Sequence, residues 1–395
     1  MADNWLDKYL EYVDDTEPPF SYHVWTGLGV LSAALGKHTY TEGIFGSRIF
    51  PNLYIILVGP SGARKTTAME YGRPFVKAAG CTILPNTVSG WQAFIHVMAN
   101  RAKREESIPG LGVVETHALV GLSGELRSLL DEDSKFLGAL TDLYDAHDEW
   151  EYYTILRGGE GEDAMTWPNL VLVGCSAPEW MPKIIPPDLI GGGFTARFAL
   201  VVEQKRRRTN GDPFMDPELE TWLRTDIKRI AAIKGRLVLS PEGKEALLGF
   251  YNDQSLLIDS GDPPVQGSRF DTYNSRRHVL VLKTAMCLAV GRDSNKTILP
   301  EDITRAVEEV TRIEASMRWA FAGYGSSTHA YNQYRVMQLL VARPYRESEI
   351  LQALEFDLDV SSLRAIKETL LAQRSILVTN LEGEAEQLWA RKEQG

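Results

Sequence analysis

Pro51-Asn-Leu-Tyr-Ile-Ile-Leu-Val58 runs directly into Gly59-Pro-Ser-Gly-Ala-Arg-Lys65-Thr66-Thr67, and the reading of this junction decides the fold. A short, continuously apolar run that ends in a turn is what a strand buried on both faces shows. Residues 66–79 behind the turn are helix formers. Strand, glycine-rich turn and helix in that order give the G-x-x-x-x-[G]-K-[S/T] frame the context a phosphate-binding loop needs. Turn N–H groups and the positive end of the helix dipole would point at the β- and γ-phosphates of ATP. The cradle comprises Gly59, Ser61, Gly62, Ala63, Arg64, Lys65, Thr66 and Thr67. Lys65 would neutralise phosphate charge and the Thr66 hydroxyl would ligate Mg²⁺. Arg64 departs from the frame, because glycine usually precedes the lysine and a side chain there is costly if the backbone must take φ > 0. The competing reading is a plain strand–turn–helix junction with Lys65 solvated.

Further buried-strand candidates lie at 117–122, 169–174 and 198–202, with helical stretches at 89–106, 125–130 and 135–146 between them. Strands alternating with helices predict a mostly parallel α/β sheet over about 45–205. Helical spacing also marks 3–13 and 22–36, separated by the turn Glu17-Pro-Pro-Phe20. Beyond Lys205-Arg-Arg-Arg208 the pattern changes to amphipathic helices at 216–235, 241–258, 275–291 and 300–322, a helical lid. Residues 330–342, 346–354 and 360–373 read as short helices followed by a strand at 376–379, the order of a winged helix and equally of a three-helix cap. The domains expected are 1–44 (N-terminal helices), 45–208 (α/β core), 209–325 (lid) and 326–395 (C-terminal module).

The 395 residues have room for two or three domains of roughly 150 residues. With 44% hydrophobic and 24% charged residues, the chain is neither disordered nor collagen-like. A net charge of −11 disfavours a surface that coats nucleic acid throughout, though it leaves room for a local basic strip. Cys81, Cys175 and Cys287 are scattered, without the spacing of a zinc site or a disulfide framework. No apolar run approaches the ~20 residues of a membrane span. An acidic N-terminus where a signal peptide would be basic completes the expectation of a soluble, cytoplasmic protein.

A P-loop enzyme also needs a group to polarise the attacking water. Glu125, at the end of Ala118-Leu-Val-Gly-Leu-Ser-Gly-Glu125, is placed for this; it is equally a first-turn acid favoured by a helix dipole. Gly124 stands where a Mg²⁺-holding Asp is usual, which leaves the ion to Thr66, phosphate oxygens and water, with Ser123 nearby. Ser176, at the end of the 169–174 strand, reads as a γ-phosphate sensor or as a capping serine. Arg197, just before the 198–202 strand, reads as an arginine finger reaching a neighbouring subunit's phosphate, or as a surface ion pair. The stretch with Arg276 and Arg277 reads as the opening of a helix, where positive charge opposes the dipole. One of them would therefore face an anion, as a second nucleotide sensor does, or simply solvent.

Contacts to nucleic acid would come from three places. The stretch 150–167 reads as a β-hairpin carrying Arg157 and the aromatics Trp150, Tyr152, Tyr153 and Trp167, which would stack on bases or simply pack within the hairpin. Its tip is acidic, and residues 131–163 hold eleven acidic and two basic residues, so most of the net charge is located there. The run Lys205, Arg206, Arg207 and Arg208 is the densest basic cluster, lining a DNA path or simply solvated, and Arg364 and Lys367 share a face of the last helix with Glu368 adjoining them.

Several of these stretches together resemble P-loop ATPases of phage and prophage replication modules, which look like replicative ring helicases. The resemblance spans about 1–325 and rests on Thr16-Glu-Pro-Pro19, Tyr22-His-Val-Trp25 and Pro51-Asn-Leu-Tyr54 leading into the loop. It continues through Leu140-Thr-Asp-Leu-Tyr-Asp145, Pro168-Asn169, Cys175-Ser-Ala-Pro178 and Gly193-Phe-Thr-Ala-Arg-Phe198. It implies an AAA+-like core, with RecA-like the lesser alternative, assembling into a hexameric ring in a bacterial host with ATP between subunits. Three functions follow: a motor translocating on single-stranded DNA, an ATP-switched initiator or helicase loader that works with other replication proteins, and a degenerate P-loop scaffold.

Overall fold

The computed structural model describes residues 4–88, 90–109, 112–130, 134–145, 149–156, 159–185, 191–321, 332–333, 335–337, 339–340, 343–355, 358–380 and 387–392. The chain divides into two compact units, Met1–Arg318 and Trp319–Gly395.

The first unit opens with α1 (Trp5–Tyr12) and α2 (Phe20–Leu35). α2 is apolar around nearly its whole circumference, because it is wedged among α1, strands of the main sheet and three later helices. The short strands β1 (Thr39–Glu42) and β2 (Arg48–Ile49) lead to β3 (Tyr54–Val58), whose five residues are all buried. After the glycine turn come α3 (Lys65–Ala78), β4 (Thr82–Ile83), α4 (Trp91–Arg101), β5 (Lys103–Ile108) and β6 (Gly112–Ser123). Then follow α5 (Leu126–Leu130), α6 (Ser134–Asp145), the hairpin β7 (Glu149–Leu156) with β8 (Gly159–Thr166), β9 (Pro168–Ser176), α7 (Met181–Ile184) and β10 (Phe198–Val202).

The main sheet has the order β10-β3-β9-β6-β4, every neighbouring pair parallel, and β5 adds an antiparallel partner along the first half of β6. The loop-bearing strand β3 is therefore internal, in register with β9 and β10. All five parallel strands end at one edge, where open α/β sheets hold their ligands.

The helix expected over 89–106 stops at Arg101, and residues 103–108 are strand β5. Lys103-Arg-Glu-Glu lacks an apolar alternation, so its strand character comes from pairing with β6, which is itself longer than the expected 117–122. The helices expected after the sheet are α8 (Pro217–Ala231), α9 (Pro241–Asp259), α10 (Asp271–Arg292) and α11 (Pro300–Ala320). Short strands β11 (Gly235–Arg236), β12 (Val238–Leu239) and β13 (Thr297–Ile298) join them. Proline and a capping Asp216 or Ser240 start α8 and α9.

The second unit has helical residues within 332–340, then β14 (Tyr345–Arg346), helix Glu347–Ala353, helix Val360–Ala372, β15 (Ile376–Asn380) and β16 (Gln387–Arg391). Its sheet is antiparallel in the order β14-β16-β15, closing over Val336, Ile350, Leu363, Ile366 and Trp389. Among the described residues, no helix is long and apolar enough to cross a membrane.

Candidate functional site

The loop after β3 is shaped by its neighbours. Gly59 N–H donates to the Ser176 carbonyl at the end of β9 (3.1 Å), and the Tyr22 hydroxyl donates to the Val58 carbonyl (2.7 Å). A Cβ at Gly59 would fall 2.5 Å from both the Glu203 carbonyl and the Tyr22 hydroxyl, so only glycine fits. Gly62 and Arg64 take φ of 84° and 64°, bending the chain back onto α3. The backbone at Arg64 thus takes the left-handed conformation that a side chain makes costly. Its guanidinium is held: Arg64 Nε donates to Glu17 Oε2 at 2.5 Å. The other Glu17 oxygen accepts from Arg206 (3.3 Å) and from the Asn210 backbone N–H (3.1 Å). The Asn210 hydrogen bond leads the causes that hold the Glu17 carboxyl below its ordinary pKa.

Helix α3 starts at Lys65 with neither a side-chain cap nor an acidic residue in its first turn. Its first N–H groups therefore remain available at the mouth of the loop, where they and the dipole favour an anion. Lys65 Nζ lies across the turn, donating to the carbonyls of Gly59 (2.6 Å) and Pro60 (2.9 Å). Burial lowers its pKa, while Cys175, Glu179 and Glu125 act in the opposite sense. Sheet topology thus gathers Glu125 and Glu179 around the ammonium from beyond β6 and β9.

Thr66 faces the end of β6, where a Cβ at Gly124 would lie 3.2 Å from Thr66 Cγ2. It also hydrogen-bonds the Cys175 thiol, whose pKa burial pushes up to about 12, so the sulfur is neutral. Thr66, Glu70, Arg73, Ser123, Gly124 and Glu125 line a cleft of about 380 Å³. Its oxygen donors suit a hard cation, and the room left by Gly124 beside Thr66 fits Mg²⁺ shared with nucleotide phosphates. Thr66, with phosphate oxygens and water, would hold it. Ser176 sits at the loop edge, its Oγ donating to the Ala177 carbonyl (3.0 Å).

Neither a comparison with protein-family profiles nor one with curated proteins returned a match.

Arg197 lies at the other end of the sheet. It immediately precedes Phe198, which pairs with Tyr54, the first residue of β3. Five residues of strand, roughly 15 Å at ~3.3 Å each, separate that edge from the loop. Arg276 is at the same far edge: Arg197 and Arg276 both bond Asp145. Arg277 is buried on Glu314 (2.6 and 2.8 Å) and Thr311, pinning α10 to α11. The dipole mismatch read from the sequence is resolved here. α10 begins at Asp271, so the arginines lie in its second turn, and each faces a carboxylate of its own chain. Neither sits with the loop after β3 of its own chain.

The basic run is tied to the N-terminal segment. Arg206 pairs with Glu17, Arg207 with Asp14 (2.9 Å) and Arg208 with Asp15 (3.4 Å), while Lys205 lines a cleft with Arg206, Arg207 and Phe20. The β7–β8 hairpin is present with Trp150 opposite Met165, and Arg157 lies outside the described residues. On helix Val360–Ala372, Arg364 is exposed, whereas Lys367 pairs with Glu347 (2.9 Å) and lies 5.5 Å from the Trp389 ring centroid. Sequence reasoning assigned no role to Glu17, Tyr22 or Asp145. The first two lie in or beside Thr16-Glu-Pro-Pro19 and the third ends Leu140-Thr-Asp-Leu-Tyr-Asp145, so the stretches were visible while their partners were not.

Proposed function

We propose that this chain is an ATP-dependent, ring-forming motor of AAA+ type that hydrolyses ATP between subunits and moves along single-stranded DNA in the replication of a phage or mobile element. The observation that carries the reading is the placement of Lys65 and Thr66 at one edge of the sheet and Arg197 at the other. An arginine so placed cannot serve its own loop; it can serve the loop of an adjacent copy, which requires a closed or helical assembly. The strand–helix order and β14-β16-β15 sheet of the second unit support a winged-helix reading of that module.

In this mechanism the first-turn N–H groups of α3 and Lys65 hold the β- and γ-phosphates and offset their charge. Mg²⁺, when bound, neutralises charge that develops on the phosphate oxygens. Glu125 lines the cleft beside Thr66 and orients the attacking water, and its carboxylate favours the proton's departure. Ser176 is at hand where β9 meets the loop. Arg197 of the adjacent copy completes the charge balance as the γ-phosphate leaves.

A loader or initiator that binds ATP without unwinding is the second reading. It is favoured by the pairing of Arg206, Arg207 and Arg208 with acidic residues of their own chain, which leaves less charge for a DNA path. The test is ATP turnover with and without single-stranded DNA, with Lys65→Ala and Glu125→Gln as controls, followed by directional strand displacement. Turnover stimulated by DNA, lost in both variants and coupled to displacement, supports the motor. Turnover without displacement supports the loader. Turnover unchanged by either substitution refutes both.

A further inference from the structure

Two cations singled out separately in the sequence converge on one carboxylate. Asp145, the last residue of α6, accepts from Arg197 through Nε (3.1 Å) and Nη2, and from Arg276 Nη2 at 2.9 and 3.2 Å on its two oxygens. Arg197 Nη1 also donates to the Gly193 carbonyl, and a Cβ at Gly193 would lie 2.7 Å from that nitrogen. Thr272 Oγ1 donates to the Gly191 carbonyl (2.7 Å), so the first turn of α10 is fastened to the same glycine loop. Two guanidiniums on one carboxylate leave the group with excess positive charge. Behind them Lys283 is buried 3.5 Å from the Tyr144 ring centroid, and burial pushes its pKa well below that of an ordinary lysine. Asp145 and Arg276 are partly exposed and open onto a cleft of about 430 Å³ lined also by Arg48 and His278.

We infer that Arg276 is a second cation of the composite nucleotide site, contacting the γ-phosphate bound by the adjacent copy alongside Arg197, with Asp145 as the residue that positions both. This rests on the reading that ATP is bound between copies. Arg276 is committed to the sheet edge where β3 begins, so it cannot meet a phosphate on its own Lys65 while it bonds Asp145. Because one carboxylate holds the two forks together, a phosphate that an adjacent copy brings to Arg197 comes within reach of Arg276, the more exposed of the two. Planar guanidiniums suit this task, since each carries five N–H donors and can bond phosphate oxygens while it keeps Asp145.

Subunit mixing tests the inference. Full-length Arg276→Ala should bind a fluorescent ATP analogue within about twofold of wild type but turn over ATP ~10²-fold or more slowly. Lys65→Ala should be inactive. Mixed in equal amounts and reassembled, the two should regain up to about a quarter of wild-type turnover, because a random ring pairs intact loops with intact arginines at that fraction of interfaces. Arg197→Ala mixed with Lys65→Ala is the reference. If that pair complements while the Arg276→Ala pair stays inactive, or if Arg276→Ala alone turns over ATP like wild type, the inference is wrong. If the Arg197→Ala pair also fails, or wild type has no turnover, the interface reading itself falls. Arg276→Lys, tested in the same mixture, covers the case in which Arg276→Ala does not fold; a fully active Arg276→Lys would argue for charge alone and against fork geometry.

Discussion

His23 makes the N-terminal segment acid-labile by an amount that the structure allows to be worked out. Its ring is fully buried beside the Tyr9 and Tyr71 rings, with Nε2 2.8 Å from Thr16 Oγ1. That hydroxyl already donates to the Val13 carbonyl (2.6 Å), so it accepts from Nε2–H. Nδ1 then carries the lone pair and has no hydrogen-bond partner among the described residues. Protonation would bury a charge and an unmatched donor; burial, reinforced by Arg207 and opposed by Asp14, lowers the pKa from 6.5 to about 3. Because the folded value lies below the unfolded one, the unfolded chain takes up the proton first. Stability is therefore retained above the unfolded pKa and falls as the pH drops from 6.5 toward 3. Between pH 7 and pH 4 the linkage relation gives a loss of about 3 kcal/mol from this one group. Urea unfolding of wild type and His23→Gln at both pH values, followed by tryptophan fluorescence, isolates the contribution of His23, since the carboxylates titrate alike in both proteins. Gln keeps the donor to Thr16, and its acid loss should be smaller by about 3 kcal/mol. Equal acid losses would refute the assignment.

Three further outcomes are expected. Gly59→Ala must displace the loop from the Glu203 carbonyl and Tyr22, and should cut nucleotide affinity at least ~10-fold in an equilibrium titration, with a lower Tm. The affinity of free protein for nucleotide should fall as pH rises through a Lys65 pKa that burial has lowered, beginning below the ordinary lysine range; Lys65→Arg should show no such fall over the same titration. Arg207→Ala should lower Tm, because it releases Asp14 and the carbonyls of Asp14 and Thr16. If its main effect is instead a shallower salt dependence of DNA binding at unchanged Tm, the basic run faces DNA after all.

The parallel core was legible because burial on both faces of a strand leaves a continuous apolar run: 54–58, 168–176 and 198–202 are each buried along their whole length. Helices α8, α9 and α11 were equally plain from spacing. β5 was hidden because Lys103-Arg-Glu-Glu becomes a strand only through its partner β6, and two-residue strands such as β4 carry no periodicity at all. At the site, the loop was readable since backbone geometry dictates its glycines and lysine locally. The roles of Glu17, Tyr22 and Asp145 depend on contacts 47, 36 and 52 residues away in sequence, and no spacing rule encodes those.

The Glu17 carboxylate has a mechanical consequence. One oxygen grips the residue that precedes Lys65; the other grips Arg206 and the backbone at Asn210, the stretch through which the chain leaves the sheet for α8. It acts as a pivot pin. Any shift of the turn at Arg64 pulls on the entry to the helical half of the unit, without passing through the rigid strands between them.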